Sequence, residues 1–134
     1  MTAEERDLVA HRLSRAEETL GEGRALLAAG SLPGAVNRLY YAAFYAARAV
    51  LATRGLDSSK HSGVIALFNQ NFVKSGQLPA ELRSVLTRAF ERRQDSDYGD
   101  FVDYDRPEVE KLSGEVEAFV RECRRMALSD IGEG

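Results

Sequence analysis

Residues 34–51 read GAVNRLYYAAFYAARAVL. On a helix of 3.6 residues per turn, one face of this stretch is Ala35, Leu39, Ala42, Ala46 and Ala49. A second face is Val36, Tyr40, Ala43, Ala47 and Val50. A helix that is apolar on most sides belongs in the middle of a bundle, and its alanines let neighbouring helices come close. Ser31 is a suitable N-cap, Pro33 suits a first turn, and Gly55 is a natural stop, so the helix is expected from about 32 to 54. One strip is left over. Arg38, Tyr41, Tyr45 and Arg48, spaced by three, four and three residues, stack along one edge, with Asn37 beside them. Their long stems and polar tips suit the wall of a groove whose heads stay wet. The competing reading has the tyrosines filling core space and the arginines pairing with acids on another helix.

Outward from this segment, residues 3–29 show helical spacing. Leu8, Leu13, Ala16, Leu20, Leu27 and Ala28 form the expected buried stripe, and Arg12 and Arg15 fall on the charged side. Gly21 and Gly23 weaken that helix or mark a close approach, and Gly30 is its expected stop. LDSSKHSG (56–63) reads as a loop that holds His61. A short helix follows to Gly76, then a helix over 77–99 with Pro79 in its first turn and Leu82, Val85, Leu86, Ala89 and Phe90 inward. Asp97, Asp100, Asp103 and Asp105 cluster at the following connector and are expected to pair with Arg92 and Arg93. The cluster lacks the Gly and terminal Glu of a calcium loop, so no metal is expected. A last helix starts at Pro107 with Val109, Leu112, Val116, Phe119, Val120 and Cys123 inward, and 129–134 reads as a frayed tail. No segment alternates as a strand does. The expected architecture is all-α: an antiparallel bundle of about five helices in one domain, residues 1–128. The helix–turn–helix over 24–51 has the look of a tetratricopeptide unit, but no second copy follows at that family's spacing, so a solenoid is rejected.

Composition narrows the function. The 134 residues carry a net charge of −3, which does not suit a general nucleic-acid-binding surface. Residues 31–76, however, carry five bases and a single acid, Asp57, so a local site for an anionic ligand is compatible with the chain. The lone cysteine, Cys123, excludes an intrachain disulfide and a cysteine-rich zinc site. The acidic opening lacks a signal peptide's apolar region, and no charge-free stretch has the length of a membrane span, so a cytoplasmic location is expected.

Three ordered segments now point to a family. AVNRLYYAAFYAARAVLATRGLDSSKHSGV (35–64), LFNQNFVKSG (67–76) and FERRQDSDYGDF (90–101) resemble the HEPN superfamily. More narrowly, they are similar to its small stand-alone members with an NRxYYAxF helix, a KHSGV loop and an RxxxDY segment. The resemblance implies an antiparallel helical bundle that often forms a homodimer. It also implies a minimal nucleotidyltransferase partner, sometimes in a toxin–antitoxin pair, and no cofactor. Several HEPN proteins are metal-independent ribonucleases marked by an Arg followed four to six residues later by a His. Here Arg92 and Arg93 stand at the matching place, but the window after Arg93 contains Asp97 and Tyr98 and no histidine. That departure matters, because metal-free RNA cleavage needs a base near neutral pH. Exposed Asp is a weak base there and Tyr is mostly protonated.

The function implied is a HEPN-domain protein with little or no catalysis, binding a nucleotide, RNA or a nucleotidyltransferase partner. The alternatives are a metal-independent ribonuclease toxin and a purely structural dimerising adaptor. The expected ligand-binding residues are Asn37, Arg38, Tyr41, Tyr45, Arg48, Lys60, His61 and Arg93. If catalysis occurs, its candidates are Arg93, Asp97, Tyr98 and His61. In the expected arrangement, the polar edge of the second helix and the end of the fourth open onto one cleft.

Overall fold

The computed structural model describes residues 1–98 and 103–133, with side chains for all of these except 96–98 and 133. Among the described residues there are five α-helices and no strand: α1 (Ala3–Ala28), α2 (Leu32–Ala52), α3 (His61–Phe68), α4 (Val85–Tyr98) and α5 (Arg106–Glu133). The expected all-α bundle is what the chain forms. Helix α2 packs against α1, α3, α4 and α5, and α5 also packs against α1 and α4. Twelve residues of α2 are buried, including both of the faces read from the sequence. The core is completed by Val9, Leu13, Ala16 and Leu20 of α1, Val64 and Phe68 of α3, Val85, Leu86 and Ala89 of α4, and Val109, Val116, Phe119 and Cys123 of α5. No described helix is long and apolar enough to cross a membrane.

Helices α1 and α2 form a tight hairpin. Gly30 turns the chain with φ +80°, a conformation that favours glycine. Seven residues upstream, Gly23 is where the two backbones come closest. A Cβ placed there would lie 3.1 Å from Leu39 Cδ2 and 3.3 Å from the Leu39 backbone N. At Gly21, which faces solvent, an added Cβ would meet nothing within 4 Å. Two glycines that look alike in sequence thus have different roles: Gly23 permits the approach and Gly21 does not.

Several expectations need correction. The buried stripe of α1 is rotated by about one residue: Leu8 is 42% exposed, whereas Val9 is fully buried and Arg12 is only 8% exposed. Ala28 is exposed as well. Arg12 is tolerated inside because its guanidinium donates to the Arg48 carbonyl at 3.1 Å and to Asp57 Oδ2 at 3.2 Å. Ser31 precedes α2, but its side chain makes no capping hydrogen bond. His61 and Ser62 belong to the first turn of α3 rather than to a loop. Beyond Phe68 the helix widens into a π turn at Asn69–Val73. The segment after Gly76 does not open a helix at Pro79: Ala80–Leu82 form a separate 3₁₀ turn, and α4 starts only at Val85. At the other end, α5 runs past the point where a tail was expected, and Asp130 accepts a hydrogen bond from Thr53 Oγ1 at 2.8 Å.

Asp57 ties the α2–α3 connection to the bundle. Its carboxylate accepts from Arg48 Nη2 at 3.0 Å, from Arg12, and from the Ser58 backbone N–H at 2.8 Å. Burial would raise its pKa, but the Ser58 amide and the two guanidiniums outweigh burial and hold it below the ordinary carboxylate value.

Two stability predictions follow from these contacts. Gly21→Ala should stabilise the protein by up to about 1 kcal/mol through helix propensity, while Gly23→Val should cost about 1–3 kcal/mol by forcing α1 and α2 apart; urea denaturation of both variants checks the opposite signs. Asp57→Ala should cost about 1–3 kcal/mol by leaving the buried Arg12 donor without its carboxylate. In the wild type this contribution is present above the unfolded carboxylate pKa, near about 4, and is lost as pH falls through the lower folded value. The difference between wild type and Asp57→Ala should therefore shrink in strongly acidic buffer.

Candidate functional site

The polar strip of α2 divides in two. Arg38 and Arg48 are ten residues apart, which on an ideal helix rotates them by about 80°. The N-terminal half faces α4, and the C-terminal half is drawn to α1 and the α2–α3 connection. Tyr45 lies under the Arg15 guanidinium of α1, 5.2 Å from ring centre to Cζ. Arg48 is held by Asp57. Lys60 is exposed at the N-cap of α3, where its backbone N–H donates to Ser58 Oγ at 3.2 Å.

Tyr41 is the centre of the other half. The Arg38 Cζ lies 5.1 Å from its ring centre and the Arg93 Cζ 5.4 Å. Arg93, from α4, also donates from Nη2 to the Tyr41 hydroxyl at 3.2 Å. That bond uses the oxygen as acceptor and leaves the phenolic proton able to donate elsewhere. Arg38 is oriented by its sequence neighbour: Nε and Nη2 donate to Asn37 Oδ1 at 3.1 and 2.8 Å. Its Nη1 lies 3.7 Å from Glu22. Arg38 and Arg93 therefore share one tyrosine ring, although 55 positions separate them in the chain.

His61 joins this cluster from the first turn of α3. Its ring meets Tyr41 edge to face at 5.7 Å and stacks on Phe44 at 4.4 Å with planes 17° apart. The Tyr40 hydroxyl lies 2.7 Å from His61 Nδ1. Burial, then the positive charges of Arg93 and Arg48, lower the His61 pKa below its ordinary value, so the imidazole is neutral at pH 7. The buried Tyr40 has its pKa raised well above the ordinary phenol, by burial first and by Tyr41 second, and it stays protonated.

Of the sequence-derived candidates, the structure brings Arg38, Asn37, Tyr41, His61 and Arg93 together. Tyr45 still meets Tyr41 ring to ring at 6.2 Å but is covered by Arg15, Arg48 lies over Phe44 at 5.8 Å but is held by Asp57, and Lys60 stands exposed at the N-cap of α3. The side chains of Asp97 and Tyr98, and all of Asp100, lie outside the described residues. Arg92 is engaged by Asp95 at 3.2 Å and Glu108 at 2.6 Å, and its carbonyl accepts from the Tyr104 hydroxyl at 2.6 Å. Among the described residues, the aspartate on Arg92 is thus Asp95 of α4 itself and not one of the connector aspartates expected there; the connector reaches Arg92 through Tyr104, and α5 through Glu108, while Asp105 instead accepts from the Glu108 backbone N–H at 3.1 Å. A groove of about 320 Å³ between α4 and α5 lies away from the Tyr41 cluster. Its Arg88 and Arg92 are paired with Glu115 and Glu108, so those charges already have partners within the fold.

Sequence reading missed Tyr40, Phe44 and Arg12. Tyr40 was placed on an apolar face and is indeed buried, but its hydroxyl reaches the site. No helical spacing could have shown that, because its partner is on another helix. Arg12 could have been found: it falls in line with Val9, Ala16 and Gly23, the residues that do face α2 and the core.

Comparison with known proteins agrees with this architecture. Residues 9–126 match the HEPN domain family. A UPF0332 protein of Thermotoga maritima is 40% identical over 117 residues, spanning 87% of this chain and 89% of that protein. A Methanocaldococcus jannaschii protein named "Putative toxin MJ0142" is 30% identical over 87% of this chain and 80% of its own length. The UPF0332 protein glr0978 of Gloeobacter violaceus is 41% identical over 74% of this chain and 75% of its own. With a family match over nearly its whole length and relatives of this similarity, the chain belongs to the HEPN-domain family.

Proposed function

We propose that this HEPN protein binds the phosphates of single-stranded RNA or a nucleotide at the Arg38–Tyr41–Arg93 cluster where α2 meets α4, referred to below as the cleft. One observation carries the reading: guanidiniums from two different helices converge on the ring of Tyr41. Arg presents planar, always-charged donors that suit phosphate oxygens. The Tyr41 hydroxyl adds a donor, and Asn37 steers Arg38. Stacking of a base on Tyr45 is disfavoured because Arg15 already lies over that ring. Phosphate is thus the better-supported part of the ligand.

A second reading, a metal-independent ribonuclease toxin, draws on the position of His61 within the same cluster as Arg93. The toxin names of relatives favour looking for it. In either case the protein is proposed to act as a homodimer with a minimal nucleotidyltransferase partner, the arrangement that its resemblance implies.

Fluorescence anisotropy with a short labelled single-stranded RNA at low salt tests the binding reading. Arg38→Ala and Arg93→Ala should each weaken binding about tenfold, as expected for loss of a charged hydrogen bond. Each should also flatten the salt dependence by about 0.7 in the log–log slope. Arg121→Ala, on the far-exposed side of α5, should change neither. Equal binding by wild type and the Arg38 and Arg93 variants would reject the cleft. For the toxin reading, expression should arrest growth and degrade cellular RNA, and Arg93→Ala or His61→Ala should relieve both. A harmless wild type with intact RNA removes that reading.

A further inference from the structure

The contact that the phosphate reading leaves unused is the one between Tyr40 and His61. Tyr40 is fully buried, packed against the rings of Tyr41 at 5.1 Å, Phe44 at 5.7 Å and Phe90 at 5.6 Å. Its hydroxyl nevertheless points a polar atom into this apolar setting and ends 2.7 Å from His61 Nδ1. Among the described residues no other hydrogen-bond partner of that hydroxyl is found. A buried O–H needs an acceptor. If Nδ1 carried the imidazole proton and donated to the phenol, the phenolic proton would have nowhere to go. With Nδ1 as the acceptor, both groups are satisfied.

We propose that Tyr40 is a positioning residue: its hydroxyl holds His61 in the tautomer protonated at Nε2, so the ring offers the cleft a neutral N–H donor for a phosphate oxygen and not a lone pair for taking a proton. The assignment rests on the phosphate reading above for its ligand, and on the Tyr40–His61 geometry alone for the tautomer. The rest of the surroundings agree. Phe44 lies flat against the imidazole and fixes its plane. Arg93 from α4, Arg48 and Tyr41 from α2, and the N-terminus of α3 itself face the ring, and the positive members of that set oppose a second proton. A histidine held in this way is poorly set up as a general base, because its acceptor nitrogen is already occupied by a group too basic to give up its proton at neutral pH. The same hydrogen bond therefore discriminates between the two functional readings: it favours binding over cleavage.

The test uses the full chain labelled with ¹⁵N, and reads the His61 ring nitrogens by long-range ¹H–¹⁵N correlation at pH 7. The wild type should show the proton on Nε2. Tyr40→Phe removes one oxygen and keeps the ring, so packing is preserved. In that variant the two tautomers should mix, and the His61 pKa should rise because the neutral form has lost its donor. A proton on Nδ1 in the wild type, or an unchanged His61 pattern in Tyr40→Phe, overturns the assignment. Titration with inorganic phosphate forms the second arm. His61→Gln keeps an N–H near the Nε2 position and should hold affinity within about threefold, whereas His61→Ala should lose about tenfold. Equal affinity in wild type and His61→Ala overturns the donor role. A wild type protonated at Nε2 that shows no response to phosphate overturns the ligand class, and the reading above with it, while the Tyr40 assignment stands.

Discussion

A helix surrounded by its own fold can do chemistry only along the strip its neighbours leave open. Helix α2 is in that position. Its alanines and Gly23 of α1 let the surrounding helices close in, and twelve of its residues are buried as a result. The closeness that buries most of α2 also delivers α4 to its one polar edge, so that Arg93 reaches Tyr41. Core packing and site assembly are the same event here. Anything that pushes α2 away from its partners loosens the core and separates the two arginines together.

The electrostatics of the cluster depend on that enforced proximity. Arg38 and Arg93 are like charges brought to one aromatic ring, an arrangement that the ring's quadrupole and the Asn37 carbonyl soften. His61 meets the same field and stays neutral. A fold that concentrates positive charge and hydrogen-bond donors without a third cation on the histidine is suited to an anionic ligand. Arg48 adds its charge to the field at His61, but its guanidinium is bound to Asp57 as part of the connection between α2 and α3. Its work is structural, and it shares that carboxylate with the buried Arg12.

How far the sequence was legible follows from the range of each interaction. The central helix, its two apolar faces and its turn signals were legible because they depend on 3.6-residue spacing and on local backbone chemistry. Arg38 and Tyr41 could be read as neighbours for the same reason. The pairing of Arg93 with Tyr41 was suggested by family resemblance and by residue type, since no spacing rule links α2 to α4. Tyr45 and Arg48 were drawn into one strip with Arg38 because a spacing of three and four is only approximately straight on a helix, and the drift takes them toward α1. Tyr40 was hidden by its own burial: an apolar ring on an apolar face gives no sign that its hydroxyl has a partner. His61 was assigned to a loop because KHSG looks like one in composition, while the apolar run that follows draws its first turn into α3.

The claim on which the rest turns is that Arg38 and Arg93 act on one ligand in one cleft. A double-mutant cycle for binding of a short single-stranded RNA, using Arg38→Ala, Arg93→Ala and the double variant at fixed low salt, addresses it directly. Two groups that share a ring and a ligand should be coupled, with an interaction energy of at least about 0.5 kcal/mol. Strictly additive losses would mean that the two arginines work at separate places, and the cleft as described here would not exist.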